Sequence, residues 1–399
     1  MKNGMALKEL RQLKRLQGKR VLVRVDFNVP LRGKKILEDY KITKSLPTIE
    51  YLVQCGARVV LASHLGRPKG VEAKLSLRPV ASRLAELLKQ KVPLLPIATL
   101  KGWQKMESAV RALGNGEVVM LENIRFIAGE KKDSPELAKK LARLADLFVL
   151  DGFAVAHRAA ASVSGVARFL PSYAGFLLAN EVKILSQAVM HPRRPLVVIL
   201  GGIKIETKIP IIKNLLSKAD AILVGGAIAT TYEWAKGNSV GASIVGKEFK
   251  KDILKYCHNK KVIVPIDAVV GDAKGNHAQV IATDRSFAVA NKNFGMYSIG
   301  PKTVQLFSAY IKKARTLIWN GALGWFEQPP YGHANRAIAH LFAARSKGRA
   351  FGICGGGESV EVLRHEGLFD DIDLVSTGGG AMLEFLAGKK LPGLTALQK

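Results

Sequence analysis

The apolar positions of the chain fall into short runs rich in Val, Ile and Leu, separated by helix-length segments. In the first half these runs are 21–27, 58–64, 117–123 and 147–153. In the second half they are 195–202, 221–227, 262–270, 316–322, 350–355 and 373–377. Most are nearly continuous rather than alternating, as in strands covered on both faces, so the pattern predicts an α/β chain with mostly parallel sheets and crossover helices. Ser134-Pro135-Glu136 ahead of LAKKLARLAD reads as a helix start, with Ser134 as N-cap and Pro135 in the first turn. The segment 173–190, YAGFLLANEVKILSQAVM, has a helical pattern between Pro171 and Pro192 and reads as a helix connecting two sheets.

Two of the runs end in glycine triplets, Gly355-Gly356-Gly357 and Gly378-Gly379-Gly380, and each triplet precedes a helix-compatible segment. A strand, a glycine turn and a helix N-terminus together aim backbone N–H groups at an anion, and glycine lets that anion come close. The same pattern also serves ordinary βα turns, and either triplet alone leaves both readings open.

Polar residues gather after successive strands. Asp26 and Asn28 end the first run, His64 and Arg67 follow the second, and Glu122, Asn123 and Arg125 the third. Asp151, His157 and Arg158 follow the fourth. Ligands of open α/β sheets bind at the carboxyl ends of strands, so Arg67, Arg125 and Arg158, with His64 and His157, make a candidate anion site. In the second half, LVVILGG leads into Lys204 and Lys208, four residues apart and on one face if helical. Either lysine suits a phosphate; a solvated helix face is the alternative. Trp319-Asn320-Gly321 ends a further strand, with Glu327 beyond it.

Composition narrows the field. The 399 residues suffice for two domains with their own cores, and 48% hydrophobic residues with 38 glycines fit a folded α/β protein. No apolar run is long enough for a membrane span, and MKNGMALKELRQLKRLQGKR lacks the apolar stretch of a signal peptide, reading instead as a basic amphipathic lead-in. Cys55, Cys257 and Cys354 are far apart, which predicts free thiols in a reducing cytoplasm. The net charge of +29 is spread along the chain: residues 1–175 carry 32 Lys/Arg against 15 Asp/Glu, and residues 176–399 carry 29 against 17. Anionic partners suit such a balance, although sparse aromatics argue against nucleic acid as the primary one. There is no GxxxxGK[ST], no GxGxxG after the first strand, no protein-kinase signature and no nucleophile elbow.

The segments VLVRVDFNVPL (21–31), SHLGRP (63–68), LENIRF (121–126), DGFAVAHRA (151–159), FLPSYAGFL (169–177), GGIKIETKI (201–209), WNGALGWFE (319–327), GGGES (355–359) and STGGGAMLEFLAGKKLPG (376–393) stand in an order and spacing that resemble the phosphoglycerate kinase family from end to end. The resemblance implies two Rossmann-like domains that close over a cleft. Residues 1–172 with 381–399 would bind 3-phosphoglycerate or 1,3-bisphosphoglycerate, 173–190 would connect, and 191–380 would bind Mg2+ with ATP or ADP. It implies a monomeric cytoplasmic phosphotransferase that moves the acyl phosphate of 1,3-bisphosphoglycerate to ADP, reversibly.

Position by position, Asp26, Phe27 and Asn28 are similar to the family's substrate contacts. His64, Leu65, Gly66, Arg67, Arg125 and Arg158 are similar to its cradle for the non-reacting phosphate. Lys204, Gly355 and Gly378 resemble groups around the transferring phosphoryl. Lys208, Glu327, Gly356, Gly357, Glu358 and Ser359 resemble nucleotide contacts, with Glu358 toward the metal. Lys41 stands where the family's arginine binds the substrate and reaches the transferring group, so the resemblance implies the same catalytic and substrate-binding place for it, although lysine loses the planar fork. The chain also departs from the family pattern at Glu358, where the family has aspartate. Ala322, Lys302 and Ala242 depart likewise. A relative with weakened catalysis, kept for binding a ligand or a nucleic acid, is the alternative reading.

Overall fold

The computed structural model describes residues 7–96, 100–284 and 287–398. Two compact units divide the chain. The first runs to Ile184 and takes back the terminal segment from Lys390; the second is Leu185–Lys389.

The first unit contains, in order, β1 (Arg20–Arg24), the hairpin of β2 (Leu31–Arg32) and β3 (Lys35–Ile36), α1 (Tyr40–Gln54), β4 (Arg58–Ala62), α2 (Arg78–Leu88), β5 (Leu94–Leu95), α3 (Leu100–Arg111), β6 (Val118–Leu121), α4 (Pro135–Ala142), β7 (Leu147–Leu150) and β8 (Ser172–Ala174). Its sheet has the order β5-β6-β4-β1-β7-β8, and its strands pair parallel. Val21, Val23, Val59 and Leu61 pack into one core with Ile42, Ile49 and Leu52 of α1 and Leu84 of α2. Leu22 and Val60, which alternate with them, are equally buried. Each such side chain contributes about 1.5–3 kcal/mol by leaving water, and this two-sided burial is why the runs are continuous. Ser134 caps α4 as expected, its Oγ accepting from the N–H of Leu137. The chain builds outward from β1 through β4 to β6, then returns to the other flank of β1 with β7. That reversal opens a crevice beyond the carboxyl ends of β1 and β7.

Helix α5 (Phe176–Met190) contains the division between the units. The second unit continues with β9 (Leu196–Leu200), α6 (Ile205–Leu215), β10 (Ala221–Val224), α7 (Gly226–Ala235), α8 (Lys250–Cys257), β11 (Val262–Ile263), β12 (Asp267–Gly271), β13 (Gln279–Ala282), β14 (Gly295–Ile299), α9 (Pro301–Lys313), β15 (Thr316–Asn320), α10 (Pro329–Ser346), β16 (Phe351–Cys354), α11 (Gly357–His365), β17 (Leu374–Val375) and α12 (Gly379–Leu386). The sheet order β11-β10-β9-β15-β16-β17 is again parallel and reverses at β9/β15. A separate antiparallel sheet has the order β13-β12-β14. Helix α13 (Pro392–Thr395) lies in the first unit, where the Gly393 N–H donates to the carbonyl of Ala156 (2.8 Å).

Three details differ from the sequence reading. The run 262–270 is two strands in two sheets, because Pro265 has no N–H to continue a ladder and the Thr303 hydroxyl accepts from the N–H groups of Ile266 and Asp267. The segment 173–190 opens with strand β8, and its helix starts at Phe176. The N-terminal lead-in lies partly outside the described residues; its described part holds a single 3₁₀ turn, Leu10–Gln12. Among the described residues no helix is long and apolar enough to cross a membrane. All three cysteines are free thiols, and burial pushes those of Cys257 and Cys354 up to about 12.

Asp151, at the end of β7, is fully buried and caps α5. Its Oδ1 accepts from the Leu177 N–H at 3.0 Å, while Oδ2 has no hydrogen-bond partner among the described residues. Burial raises its carboxyl to about 8, against hydrogen bonds from Thr48, Leu177 and Leu178, and buried Glu181 adds to the rise. The folded state therefore holds a proton that the unfolded chain releases near the ordinary value of 3.8. This contribution to stability is fully present below that value and is lost as pH rises through about 8. Asp151→Asn is expected to raise the urea midpoint at pH 8 and to converge with the parent near pH 4; equal midpoints at pH 8 would refute this.

Candidate active sites

In the first unit the residues around the β1/β7 crevice form one buried charged network. Asp26, just beyond β1, is 5% exposed and takes the Lys41 ammonium of α1 on Oδ2 at 2.6 Å. Burial pushes the Asp26 carboxyl up, but Lys41, with help from Arg24, more than offsets this and holds it at about 2. His64, beyond β4, is buried with Nδ1 3.2 Å from Arg24 Nη2 and 3.4 Å from Asp26 Oδ1. A guanidinium only donates, so Nδ1 accepts and the imidazole proton sits on Nε2. Burial, with Arg24, Arg125 and Arg158 adding to it, lowers the His64 pKa well below its usual value despite Asp26, so the ring is a neutral donor at pH 7.

The loop after β4 is held by side chains from its neighbours. Asn28 Oδ1 accepts from the Gly66 N–H at 2.8 Å, and Asn123 Nδ2 donates to the carbonyl of Leu65 at 2.8 Å. Arg125 donates to the carbonyl of Gly66, whose φ of +63° suits glycine. Phe27 is buried and its N–H donates to Ser63 Oγ at 2.8 Å, so its part in the site is backbone placement. Arg67 and Arg158 are exposed. Burial, then Arg158 and Arg24, lower the Arg125 pKa to about 10, and the repulsion among these cations is what an anion would relieve. The sequence reading missed Arg24, Glu130 and Ser162. Arg24 is 2% exposed in β1, its Nε 2.8 Å from Ser162 Oγ, and that hydroxyl donates to Glu130 at 2.6 Å.

In the second unit the glycine-rich turns meet at the β9/β15 crevice. Gly202, Gly321 and Gly356 have φ of +86°, +88° and +102°, and a Cβ on Gly321 would lie 2.3 Å from the Gly201 carbonyl oxygen. Only glycine permits that approach. Helices α11 and α12 start inside the two triplets, and a Cβ on Gly379 would lie 3.8 Å from the Gly356 Cα, so Gly355–Gly357 and Gly378–Gly380 stand side by side.

Lys208 projects from α6 into this crevice, 5% exposed, and donates to Asn320 Oδ1; Asn320 Nδ2 donates to the carbonyl of Gly355 at 2.6 Å. Burial lowers the Lys208 pKa to about 8, against Glu358 and Glu206. Lys204, expected on the same face, is instead the exposed N-cap residue of α6. Ser359 Oγ accepts from the Gly321 N–H and lies 2.9 Å from the Gly355 carbonyl.

Glu358 reaches across the crevice to accept from the Ala322 N–H at 3.2 Å. Beside it lies a cavity of about 370 Å3, walled by Gly226, Ile244, Tyr297, Trp325 and the exposed Glu327. Tyr297 and Trp325 make an edge-to-face pair at 5.5 Å, a wall whose aromatic character the sequence reading did not single out. Among the described residues there is no cluster of three His, Cys, Asp or Glu able to hold a bare metal ion.

Both sites thus stand at the strand-order reversals of parallel sheets, one with cations gathered around buried Arg24, which suits an anion, the other with paired helix starts, which suit phosphate. A family model described as phosphoglycerate kinase matches residues 10–389. The phosphoglycerate kinases of Chloroflexus aggregans and Dictyoglomus turgidum are each 45% identical to the chain, over 388 and 389 residues, covering 96% of both partners. Among solved structures, phosphoglycerate kinase from Coxiella burnetii superimposes with a TM-score of 0.86 at 37% identity, covering 98% of this chain and 99% of that one. The enzyme from Pyrococcus horikoshii gives 0.82 at 32% identity, with 98% of each chain covered. On a match that runs nearly end to end in both sequence and fold, the chain belongs to the phosphoglycerate kinase family.

Proposed function

We infer that the chain transfers the acyl phosphate of 1,3-bisphosphoglycerate to ADP, giving 3-phosphoglycerate and ATP, and runs the reverse reaction. The observation that carries this reading is the Lys208–Asn320–Gly355 chain of hydrogen bonds under the paired glycine turns. Phosphoryl transfer needs positioning and charge neutralisation more than a protein nucleophile, and this arrangement offers a buried cation beside helix N-termini.

In this reading Lys208, the glycine turns, Ser359 and Glu327 hold the nucleotide, with Lys204, Gly355 and Gly378 nearest the transferring group. Asp26, Phe27, Asn28, His64, Leu65, Gly66, Arg67, Arg125 and Arg158 hold the phosphoglycerate, His64 donating from Nε2. A divalent cation such as Mg2+ would neutralise charge on the nucleotide phosphates. A single carboxylate, Glu358, fits a metal that arrives with phosphates and waters rather than one caged by protein. The free thiols, two of them buried, support a reducing cytoplasm, and a monomer belongs to the same reading.

The experiment combines purified chain with 3-phosphoglycerate and Mg-ATP and follows ADP formation while the acyl phosphate is trapped. A kcat within roughly 1–10³ s⁻¹ is expected. Binding of both ligands without turnover would instead favour the weakened binding relative, and no binding of either would undo the site.

Lys41→Arg is expected to raise kcat roughly threefold to tenfold, because a guanidinium can keep the bond to Asp26 and still present a second N–H to the ligand. Steady-state kinetics decides it; an unchanged or lower kcat would show that the site is built around lysine.

A further inference from the structure

At the other end of the first sheet lies a feature that the phosphoryl-transfer reading does not use. Arg20 and Arg58 are register partners at the starts of β1 and β4, Arg111 ends α3 and Arg143 caps the end of α4. With Glu107 they line a surface cavity of about 680 Å3. The strands run parallel, so this cavity lies at their amino ends, and Asp26 and His64 lie beyond their carboxyl ends, about five residues or some 16 Å along β1.

The charges of the cavity are unbalanced. Arg20 is committed to Asp146, with Nη2 2.6 Å from Oδ1, and also donates to the carbonyl of Arg143 at 3.3 Å. Arg58 uses Nε on Asn115 Oδ1 at 3.3 Å. The side chains of Arg111 and Arg143 have no hydrogen bond or ion pair among the described residues, and both residues are exposed. Four guanidiniums against Glu107 and Asp146 leave two net positive charges around one concavity. Like charges gathered in this way repel, and a bound anion would convert that repulsion into attraction.

We propose that this cavity is a second anion-binding site, separate from the catalytic one, for a compact anion carrying two or more phosphate groups. Several planar forks suit bidentate contact with more than one phosphate, which a single phosphate would not use. The lining has no aromatic side chain on which a base would stack, so a polynucleotide is the weaker fit.

The test is titration calorimetry of the full chain with inorganic tripolyphosphate in magnesium-free buffer, with 3-phosphoglycerate and ADP saturating. One tripolyphosphate per chain is expected to bind. Arg111→Ala with Arg143→Ala is expected to weaken it at least tenfold, since two charge-assisted contacts are lost. Turnover with Mg-ATP should not change in this variant. Arg143→Glu alone, at an exposed helix end, should have the same effect on binding. No binding beyond the saturated catalytic ligands, or equal affinity in the variants, would overturn the proposal.

Discussion

Lys208→Ala is expected to lower kcat/KM for the nucleotide by roughly 10²–10³, the usual cost of removing one preorganised electrostatic contact from a phosphoryl or acyl centre. Lys208 is held in place before any ligand arrives, by Asn320, which is itself tied to the Gly355 carbonyl. The KM for 3-phosphoglycerate should stay the same, because the residues proposed to hold it lie in the other unit. If that KM moves and the nucleotide KM does not, the division of substrates between the units is wrong. The pH dependence supplies a second check. Burial lowers the Lys208 pKa to about 8, so in the free protein its charge is present below that pH and lost above it. Nucleotide kcat/KM should therefore fall as pH rises through about 8, and this limb should be missing in Lys208→Ala. Truncation strands no buried charge but leaves the Asn320 Oδ1 acceptor without its lysine donor, so an unchanged melting transition of the second unit must accompany the kinetic loss.

The backbone of this design was legible in the residues. Ten apolar runs predicted mostly parallel strands, and each run holds a strand, because burial on both faces leaves no room for polar alternation; the short edge strands β5 and β8 fall in no run. The antiparallel sheet of β12, β13 and β14 was not legible. Its first strand merges into the run 262–270, and only the missing N–H of Pro265 separates it from β11. Candidate residues were legible where a strand ends in polar residues, as at Asp26, His64 and Asn320. Lys204 and Lys208 show the limit of spacing arguments: four residues apart, one sits at the helix N-cap in solvent and the other inside the crevice. Arg24 was hidden by its own strand, which reads as apolar. Its partners Ser162 and Glu130 lie more than a hundred residues away, and no local pattern marks such a pairing.

That hidden network carries the second large effect. Glu130→Ala is expected to destabilise the first unit by about 3 kcal/mol, at the lower end of what breaking a buried ion pair costs. Glu130 is 3% exposed, accepts from the Ser162 N–H at 3.0 Å and from its hydroxyl at 2.6 Å, and its charge supports Arg24. Without it, Arg24 stays buried with Asp26 as its remaining counter-charge, and the Ser162 N–H loses its acceptor. For a unit of this size the melting transition should fall by roughly 6–12 °C. The two units need not melt together, so the affected transition is identified as the one that 3-phosphoglycerate raises. Glu130→Gln separates packing from charge: it keeps an acceptor for Ser162 and should recover part of the stability. It should still raise the KM for 3-phosphoglycerate, because Arg24 fixes the tautomer of His64 through the Nη2–Nδ1 contact at 3.2 Å. A Gln variant with native KM and lowered stability would make Glu130 a purely structural residue. A variant with unchanged melting would mean that Asp26 alone suffices to hold the arginine.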